Sequence, residues 1–392
     1  MDNKTIAIIA VIAVAVVGIA AFALMNNGGS SSDEREPLSN PITVSDALGN
    51  QVTIDYKVKR VALTELAHVE LFATVYGEGW EDLVCMMPED ISSRDASLGA
   101  YIEKNYPSLT KLPTCPDLYT GLATNPTLIA EKILDTNPDL VILPGATVMW
   151  IPGLESFFKL FSDSDIPVFN STFYTYGLSD TIAGLNYGSL GKVFGKESRA
   201  NEIVSFYNSS LKMVKDRLAL KDTASQRIYY EVPSGVDMSV YGSVVNMGVP
   251  EVELTGYNIL KESGVPMDAE FNLQKMIEGD PDWIFIVDTA YYGGNQILGY
   301  YMEDVEDKAQ ASLENTIKSR AGWSDLDAVK EGKVVLMYGE CRFSITDLYN
   351  LYAMASIIYD DVVTEKDMQN LMAGFSKYLP WEFKGTFVYQ IA

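Results

Sequence analysis

The amino-acid sequence predicts an α/β protein with two lobes, each containing a parallel sheet flanked by helices, joined by one long backbone helix. Three observations predict it: a repeated helix–Pro-Asp–strand segment, further short apolar strands that follow helical sequence, and a long amphipathic stretch between the two halves. With 392 residues, 47% of them hydrophobic, the chain is long enough to build two α/β lobes.

The repeat consists of residues 131–143 and 274–286, which align without a gap and carry Pro138 and Pro281 at the same position. Each copy reads as a helix end, a Pro-Asp break and a short strand. Proline ends a helix, and a strand that is apolar throughout is typical of a parallel sheet covered on both faces. Strand–helix alternation in both halves therefore predicts two similar lobes. The other predicted strands lie at 60–64, 166–169, 227–231 and 333–337.

The linking helix is predicted within residues 191–222, between lobes at 41–190 and 223–392. Apolar residues recur there at helical spacing and form one stripe through about six turns. They are Ala200, Ile203, Val204, Tyr207, Leu211, Val214 and Leu218. A single stiff helix between lobes limits their relative motion, whereas flexible crossover strands favour wide hinge closure.

The N-terminus contains an uncharged run of twenty residues, 6–25. At about 1.5 Å per residue it is long enough to span the roughly 30 Å hydrocarbon layer of a membrane. We predict that residues 1–25 form a membrane anchor, or a signal segment cleaved near residues 21–23, and that residues 26–40 form a flexible tether. Lys4 before the run and acidic residues after it place the rest of the chain outside the cytoplasm.

The composition excludes several classes of function. A net charge of −24 without a cluster of Lys or Arg argues against nucleic-acid binding. One histidine cannot build a metal site from several imidazoles, and three cysteines are too few for an iron–sulfur cluster. If the chain is exported, a disulfide between Cys85 and Cys115 is possible. Because no GxSxG, P-loop or HExxH motif occurs, we expect neither enzymatic activity nor a cofactor.

Ligands of parallel α/β lobes bind beyond the carboxyl ends of the strands, and the loops predicted there are rich in aromatic residues. Flat rings suit a large flat ligand, and an arginine suits an anion. His68 could ligate haem or cobalt through a ring nitrogen or simply pack, and Arg342 could instead pair with Glu340 or Asp347. The predicted ligand-binding residues are Glu65, His68, Thr147, Trp150, Tyr174, Tyr241, Tyr291, Tyr292 and Arg342.

Five segments in order carry a resemblance to a known family: residues 42–54, 59–63, 137–142, 323–334 and 385–389. Together they resemble the iron-chelate/cobalamin periplasmic-binding family, the substrate-binding proteins of ABC importers that have a helical backbone between their lobes. The resemblance runs from about residue 41 to the end of the chain. It implies a cleft that holds a ferric chelate, haem or corrinoid, and docking onto a permease with its ATPase subunits.

The resemblance also implies a glutamate seven residues before the Pro-Asp of each lobe, where it meets arginines of the permease. The first lobe has Glu131 at this position, whereas the second has Gln274. Glutamine cannot supply a charge-assisted bidentate pair, so the docking would be asymmetric unless Glu270 or Glu278 substitutes.

These observations predict an extracytoplasmic monomer that captures a ferric chelate of siderophore type between its lobes. A cobalamin, corrinoid or haem receptor of the same type is the first alternative, because the chain's acidity repels an anionic siderophore at low salt and does not repel a neutral or cationic corrinoid. A surface adhesin without a small-molecule ligand is the second.

Overall fold

The computed structural model describes residues 35–89, 91–171, 178–234, 239–242, 249–263, 269–270, 273–290, 296–342 and 344–392. The fold is built by the compact unit Leu38–Ala392. Among the residues that the structure describes, no helix combines the length and the apolar composition needed to cross a membrane. The predicted anchor at 1–25 lies outside the described residues, as does most of the predicted tether.

The secondary structure alternates strands and helices along most of the chain. The strands are β1 (Pro37–Ser45), β2 (Gln51–Tyr56), β3 (Val61–Leu63), β4 (Val84–Pro88), β5 (Thr114–Cys115), β6 (Leu140–Pro144), β7 (Val168–Ser171), β8 (Arg227–Ser234), β9 (Ser239–Gly242), β10 (Tyr257–Asn258), β11 (Ala269–Glu270), β12 (Trp283–Asp288), β13 (Gly299–Tyr300), β14 (Val334–Tyr338), β15 (Gly385–Thr386) and β16 (Val388–Gln390). The helices are α1 (Leu66–Tyr76), α2 (Ile91–Arg94), α3 (Ala96–Asn105), α4 (Leu118–Thr124), α5 (Pro126–Leu134), α6 (Gly145–Trp150), α7 (Glu155–Asp163), α8 (Asp180–Ala183), α9 (Ser189–Val193), α10 (Glu197–Leu218), α11 (Val249–Thr255), α12 (Leu273–Gly279), α13 (Glu306–Ser319), α14 (Asp327–Lys330), α15 (Asp347–Ile358) and α16 (Glu365–Tyr378).

The first sheet is parallel throughout and has the strand order β5-β4-β3-β6-β7. Successive side chains of its central strand point to opposite faces, as the pleat requires. Val61 and Leu63 join the large core beneath α1, whereas Ala62 joins a smaller core on the other face, under α5 and α7. Burial on both faces explains why β3 and β6 are apolar at every position.

The second sheet has the order β11-β9-β8-β12-β14-β16, with β10 beside the start of β8. Its centre, β8-β12-β14, is parallel, as the sequence predicts. Strands β9, β11 and β16 pair in antiparallel fashion and extend the sheet at both edges. The α/β class with parallel sheets is therefore confirmed, and antiparallel strands are added to the second lobe.

The aspartate of the Pro-Asp segment makes the same kind of hydrogen bond in both lobes. In the first lobe the Asp139 carboxylate accepts from the backbone N–H of Arg60 at 3.0 Å, and in the second the Asp282 carboxylate accepts from that of Arg227 at 2.7 Å. The aspartate after the proline thus joins the start of its own strand to the start of the neighbouring strand. The residue before each proline, Asn137 or Asp280, has a positive φ, 49° and 41°.

The linking helix α10 buries the predicted apolar stripe, with Val204 only half-buried. It is shorter than the predicted range because residues Ser189–Val193 form the separate helix α9. Gly195, at φ +62°, lies between the two helices and interrupts the helical backbone. Arg199 on α10 donates to the Thr74 carbonyl at 2.8 Å and to the Tyr378 carbonyl at 2.7 Å, so the helix is tied to elements far apart in the sequence. The exact lobe boundaries stay a prediction.

All three cysteines are buried free thiols, so the Cys85–Cys115 disulfide that the sequence left open is not formed. Cys85 lies in β4 and Cys115 at the end of β5, both in the smaller core of the first lobe. Burial raises the pKa of the Cys85 thiol, which keeps it protonated and unreactive.

Candidate functional site

Residues at or beyond the carboxyl ends of strands from both sheets meet at one seam, formed by Asp95, Gln296 and Tyr338. Asp95, which follows β4 and the short helix α2, accepts a hydrogen bond from the hydroxyl of Tyr338, the last residue of β14. In parallel α/β lobes this edge carries the ligand-binding loops. Side chains that bind a ligand are therefore expected along this seam.

The predicted residues are described to different extents. Glu65, His68 and Thr147 are described with their side chains. Trp150, Tyr241 and Arg342 are described in the backbone only, at the end of α6, in β9 and in the short 3₁₀ helix Gly339–Arg342. The remaining three, Tyr174, Tyr291 and Tyr292, lie outside the described residues.

His68 lies in the first turn of α1, directly beyond β3, and is 1% exposed. Thr64 donates to the Ile142 carbonyl of β6 at 2.7 Å, and its oxygen is 3.4 Å from His68 Nδ1. Because the hydroxyl hydrogen of Thr64 is already used, Nδ1 must donate and Nε2 carries the lone pair. Burial and then the charge of Arg94 lower the pKa of His68 to about 3, so the ring is neutral. Within the described part of the chain Nε2 has no hydrogen-bond partner.

Glu65 precedes α1 and forms a buried ion pair. Its carboxylate accepts from Arg94 of α2 at 3.0 Å, and the same guanidinium lies 3.7 Å from the Asp117 carboxylate. The loops beyond β3 and β4 are therefore held together by charge. Arg94 therefore lies beside at least the two described carboxylates, which neutralise much of its positive charge before any ligand arrives.

Thr147 lies half-buried in α6, directly beyond β6. This helix begins at Gly145, where an added Cβ would lie 2.9 Å from the Ser171 carbonyl at the end of β7. Behind the same strand end, the Asp46 carboxylate accepts from the Asn170 side-chain amide at 2.7 Å. The turn between β1 and β2 therefore supports the ends of β6 and β7.

The second lobe closes its strand ends in a similar way. The Asp288 carboxylate, at the end of β12, accepts from the backbone N–H groups of Ile297 at 2.8 Å and Leu298 at 2.5 Å. Thr289 donates to Glu340 at 3.1 Å, which ties the segment after β12 to that after β14. Burial raises the pKa of Asp288 to about 6.

Sequence reasoning missed the polar residues at the base of the seam. Glu70 of α1 accepts from the hydroxyl of Thr346 at 3.1 Å and from that of Tyr300 at 3.4 Å. Burial, opposed in part by these hydrogen bonds and assisted by the charge of Asp95, raises the pKa of Glu70 to about 8. The sequence signal was a glutamate inside a mostly apolar helix. Within the described ranges no group of three or more His, Cys, Asp or Glu side chains is arranged to hold a metal ion.

The two predicted docking positions lie on corresponding helices. Glu131 is exposed on α5, which leads into the Pro-Asp break of the first lobe. Gln274 lies on α12, the corresponding helix of the second lobe, and its side chain is outside the described part. Glu278, one of the predicted substitutes, is exposed on the same helix.

Two α/β lobes whose strand ends meet at one seam, with a helix between them, define a two-lobed binding protein. Comparison with known families agrees with this class. Residues 103–340 match the family described as periplasmic binding protein, so the chain belongs to this family, of the iron-chelate, cobalamin and haem type. Members are extracytoplasmic solute-binding proteins of ABC transporters and not enzymes.

Solved structures show the same fold at low sequence identity. The TroA-like periplasmic binding protein FepB from Veillonella parvula has a TM-score of 0.75 and 21% identity, and the match covers 90% of this chain and 100% of that one. The molybdate-binding protein MolA from Haemophilus influenzae has a TM-score of 0.62 and 18% identity, over 88% and 99% of the two chains. The haem-binding protein RhuT from Roseiflexus sp. RS-1 has a TM-score of 0.53 and 13% identity, over 78% and 99%. No curated protein sequence matches the chain.

Proposed function

We propose that this protein captures a ferric chelate of siderophore type between its two lobes and delivers it to a membrane permease and its ATPase. The observation that carries the proposal is the meeting of both sets of strand ends at one seam, where Asp95 contacts Tyr338. In the sequence, Tyr174, Tyr291, Tyr292 and Arg342 follow strands β7, β12 and β14, and these residue types suit a large aromatic anion.

Two arginines follow strand ends at this edge and are candidates for contact with an anionic chelate. Arg94 already shares its charge between Glu65 and Asp117. The anion-binding group that we propose is Arg342, four residues beyond Tyr338 in the sequence. A guanidinium pairs with carboxylate or catecholate oxygens through two parallel hydrogen bonds and carries a positive charge. Glutamine is uncharged and cannot replace this interaction.

One observation favours the alternative of a haem or corrinoid ligand. His68 is neutral and its Nε2 lone pair has no hydrogen-bond partner among the described residues, which is the state of an imidazole that ligates iron or cobalt. Its side chain is buried, so a ligand would reach Nε2 only after neighbouring residues moved. The ferric chelate is therefore preferred.

Thermal unfolding of the full-length protein distinguishes these ligands. The panel contains ferric catecholate and hydroxamate complexes, haemin, cobalamin, cobinamide, molybdate and free ferric ion. A ligand at 100 times its dissociation constant stabilises the folded state by about 2.7 kcal/mol, which for a chain of this size raises Tm by about 3–4 °C. We expect the shift with a ferric chelate. A shift with corrinoid or haemin alone would replace the proposed ligand, and no shift at all would favour an adhesin.

Arg342→Gln gives the matched test of the anion site. We expect the affinity for the ferric chelate that shifts Tm to fall at least about tenfold, since one charge-assisted interaction is lost. Lys330→Gln is the control, because Lys330 also carries a positive charge but lies before β14, at the other end of the strand, and pairs with Asp327 at 3.2 Å. Equal affinities of the two variants for the ferric chelate would show that Arg342 does not bind the ligand.

Docking on the permease is proposed through Glu131 and is tested separately from ligand binding. In vesicles reconstituted with the permease and its ATPase, Glu131→Ala should reduce transport while ligand affinity stays unchanged. The side chain is exposed on α5, which leads into the amino-terminal end of β6, whereas the proposed ligand-binding loops follow the carboxyl ends of the strands. Glu103→Ala, an exposed glutamate of the same lobe, is the control. Gln274→Glu should increase transport by restoring the second charge. A parallel loss of affinity and transport in Glu131→Ala would contradict the docking role.

A further inference from the structure

Asp95 is fully buried at the seam and makes two kinds of hydrogen bond. Within the first lobe it caps α3, since its Oδ1 accepts from the backbone N–H groups of Ser97 and Leu98, each at 3.0 Å, and from the Ser97 hydroxyl at 2.6 Å. From the second lobe, Oδ1 accepts from Gln296 Nε2 at 2.9 Å and Oδ2 accepts from the Tyr338 hydroxyl. A helix cap alone needs only the first set.

Both donors from the second lobe are themselves fixed. Tyr338 is the last residue of β14, and its ring packs against Tyr300 at 6.0 Å and Phe387 at 5.5 Å between centroids. Gln296 also donates to the Leu298 carbonyl at 2.9 Å, and its side-chain oxygen accepts from the backbone N–H of Ala96 at 2.8 Å. Gln296 therefore both donates a hydrogen bond to the first lobe and accepts one from it.

The contact around Asp95 is tight. The backbone N–H of Tyr300 donates to the Ser97 hydroxyl oxygen at 3.1 Å. Gly299 lies beside it, and a Cβ there would come within 2.4 Å of the same oxygen. Gly299 also has φ +145°, a conformation that other residues rarely adopt. The seam at this point thus depends on the absence of a side chain at Gly299.

The partners of Asp95 adjoin the loops beyond the strand ends. Tyr338 precedes the short 3₁₀ helix Gly339–Arg342, and Gln296 follows residues 291–295, which join it to the end of β12. On the first-lobe side, Asp95 directly follows Arg94, which holds Glu65 beyond β3. One carboxylate therefore connects the loops beyond β3 and β4 to those beyond β12 and β14.

We propose that Asp95 is a positioning residue for ligand binding, which holds the ligand-binding loops of the two lobes at a fixed separation through Tyr338 and Gln296. This inference rests on the proposed function, in which the ligand lies between those loops. The helix α10 connects the lobes along the chain, and the Asp95 contact connects them beside the site. Glu70 also joins them, through Thr346 and Tyr300. Rotation of the lobes about the helix would therefore break hydrogen bonds at the seam.

The test removes the hydrogen bonds that Tyr338 and Gln296 make across the seam, including the one that Gln296 accepts from the backbone N–H of Ala96. The double variant Tyr338→Phe with Gln296→Leu leaves the cap of α3 and the ring packing of residue 338 in place. Tyr349→Phe is the control, because Tyr349 also packs against Phe387, at 5.4 Å, and loses a buried hydroxyl without contacting Asp95. Should the double variant fail to fold, the single variant Tyr338→Phe carries the test.

The first readout needs no ligand. Spin labels on cysteines introduced at Lys132 and Lys318, exposed positions of α5 and α13, report the distance between the lobes by electron–electron double resonance. The native cysteines are buried and stay unlabelled. We expect a narrow distribution for the wild type and the control, and a distribution at least about twice as wide for the double variant. Equal widths in all three proteins would overturn the proposal.

The second readout is the affinity for a ferric catecholate complex. If the binding-competent arrangement is populated only a tenth of the time without the seam contacts, the apparent dissociation constant rises about tenfold. We expect this increase in the double variant and no change in the control. Unchanged affinity together with a widened distribution would contradict the positioning role. A widened distribution in a protein whose wild type binds no ligand of the panel would instead overturn the proposed function and leave the seam contact supported.

Discussion

Arg320→Met is expected to lower the free energy of unfolding by about 3–5 kcal/mol, because it leaves a buried carboxylate without its charged partner. Glu231, at 0% exposure in β8, accepts two parallel hydrogen bonds from the Arg320 guanidinium at 2.6 and 2.7 Å. The Tyr229 hydroxyl adds a third at 3.0 Å. Burial disfavours the charged guanidinium, yet the hydrogen bonds and charge of Glu231 outweigh it and raise the pKa of Arg320.

The double variant Glu231→Gln with Arg320→Met separates the charge from the packing. It removes both charges, so it should recover a large part of the loss, since the cost of the single change lies in the unpaired buried charge. Lys159→Ala is the surface control: its pair with Asp163, at 2.6 Å, is more than half exposed on both sides and should contribute no more than about 1 kcal/mol. Urea unfolding followed by tryptophan fluorescence measures all three, and a loss below about 1 kcal/mol for Arg320→Met would contradict the stabilising role of this ion pair.

The sequence predicted the features of the fold that arise from local pattern. Continuous apolar runs identified β6, β12 and β14, because strands buried on both faces are mostly apolar. The recurring Pro-Asp segment identified two lobes. The apolar stripe of α10 was predicted from the helical spacing of its apolar residues, since only one face of this helix is buried. The antiparallel edge strands β9, β11 and β16 were missed, since their two to four residues are too short for a period to show.

The base of the seam could not have been predicted from the sequence. Asp95 and Tyr338 are separated by 243 positions, and Glu70 and Thr346 by 276. Nothing local distinguishes Asp95 from any other helix-capping aspartate, and Tyr338 continues an apolar strand. Their roles depend on how the two lobes pack against each other. This packing results from many weak contacts between residues far apart in the sequence. Glu65 was correctly placed beyond β3, but its ion pair with Arg94 is a tertiary contact that no spacing rule indicates.

Glu70 should make the protein less stable as the pH rises from about 4.5 to about 8. Burial raises the pKa of Glu70 to about 8, whereas the unfolded chain releases this proton near 4.5. Between these values the folded state holds a proton that the unfolded state has lost, so the free energy of unfolding falls with increasing pH. At 1.36 kcal/mol per pH unit, the full window corresponds to about 4–5 kcal/mol. Asp288, whose pKa burial raises to about 6, acts in the same direction.

His68 acts in the opposite direction. Its pKa is lowered to about 3, so its contribution to stability is present above about 6.5 and is lost as the pH falls toward 3. The two groups therefore oppose each other between about 4.5 and 6.5, and the decline due to Glu70 shows most clearly above that range. Comparing a Glu70 variant with the wild type cancels the contributions of His68 and Asp288, which both proteins share.

Glu70→Gln is the variant that isolates the effect, because glutamine has the same size, keeps an oxygen for Thr346 and stays neutral at every pH. Urea unfolding at pH 4.5, 6.5 and 8.5 should show little difference from the wild type at the lowest pH and a gain of several kcal/mol at the highest. Glu78→Gln, at an exposed position just beyond α1, should show no such divergence. A constant difference between Glu70→Gln and the wild type at all three pH values would mean that Glu70 is ionised in the folded protein. The seam would then contain two neighbouring carboxylates, Glu70 and Asp95, and would need a compensating charge that the described contacts of Glu70 do not supply.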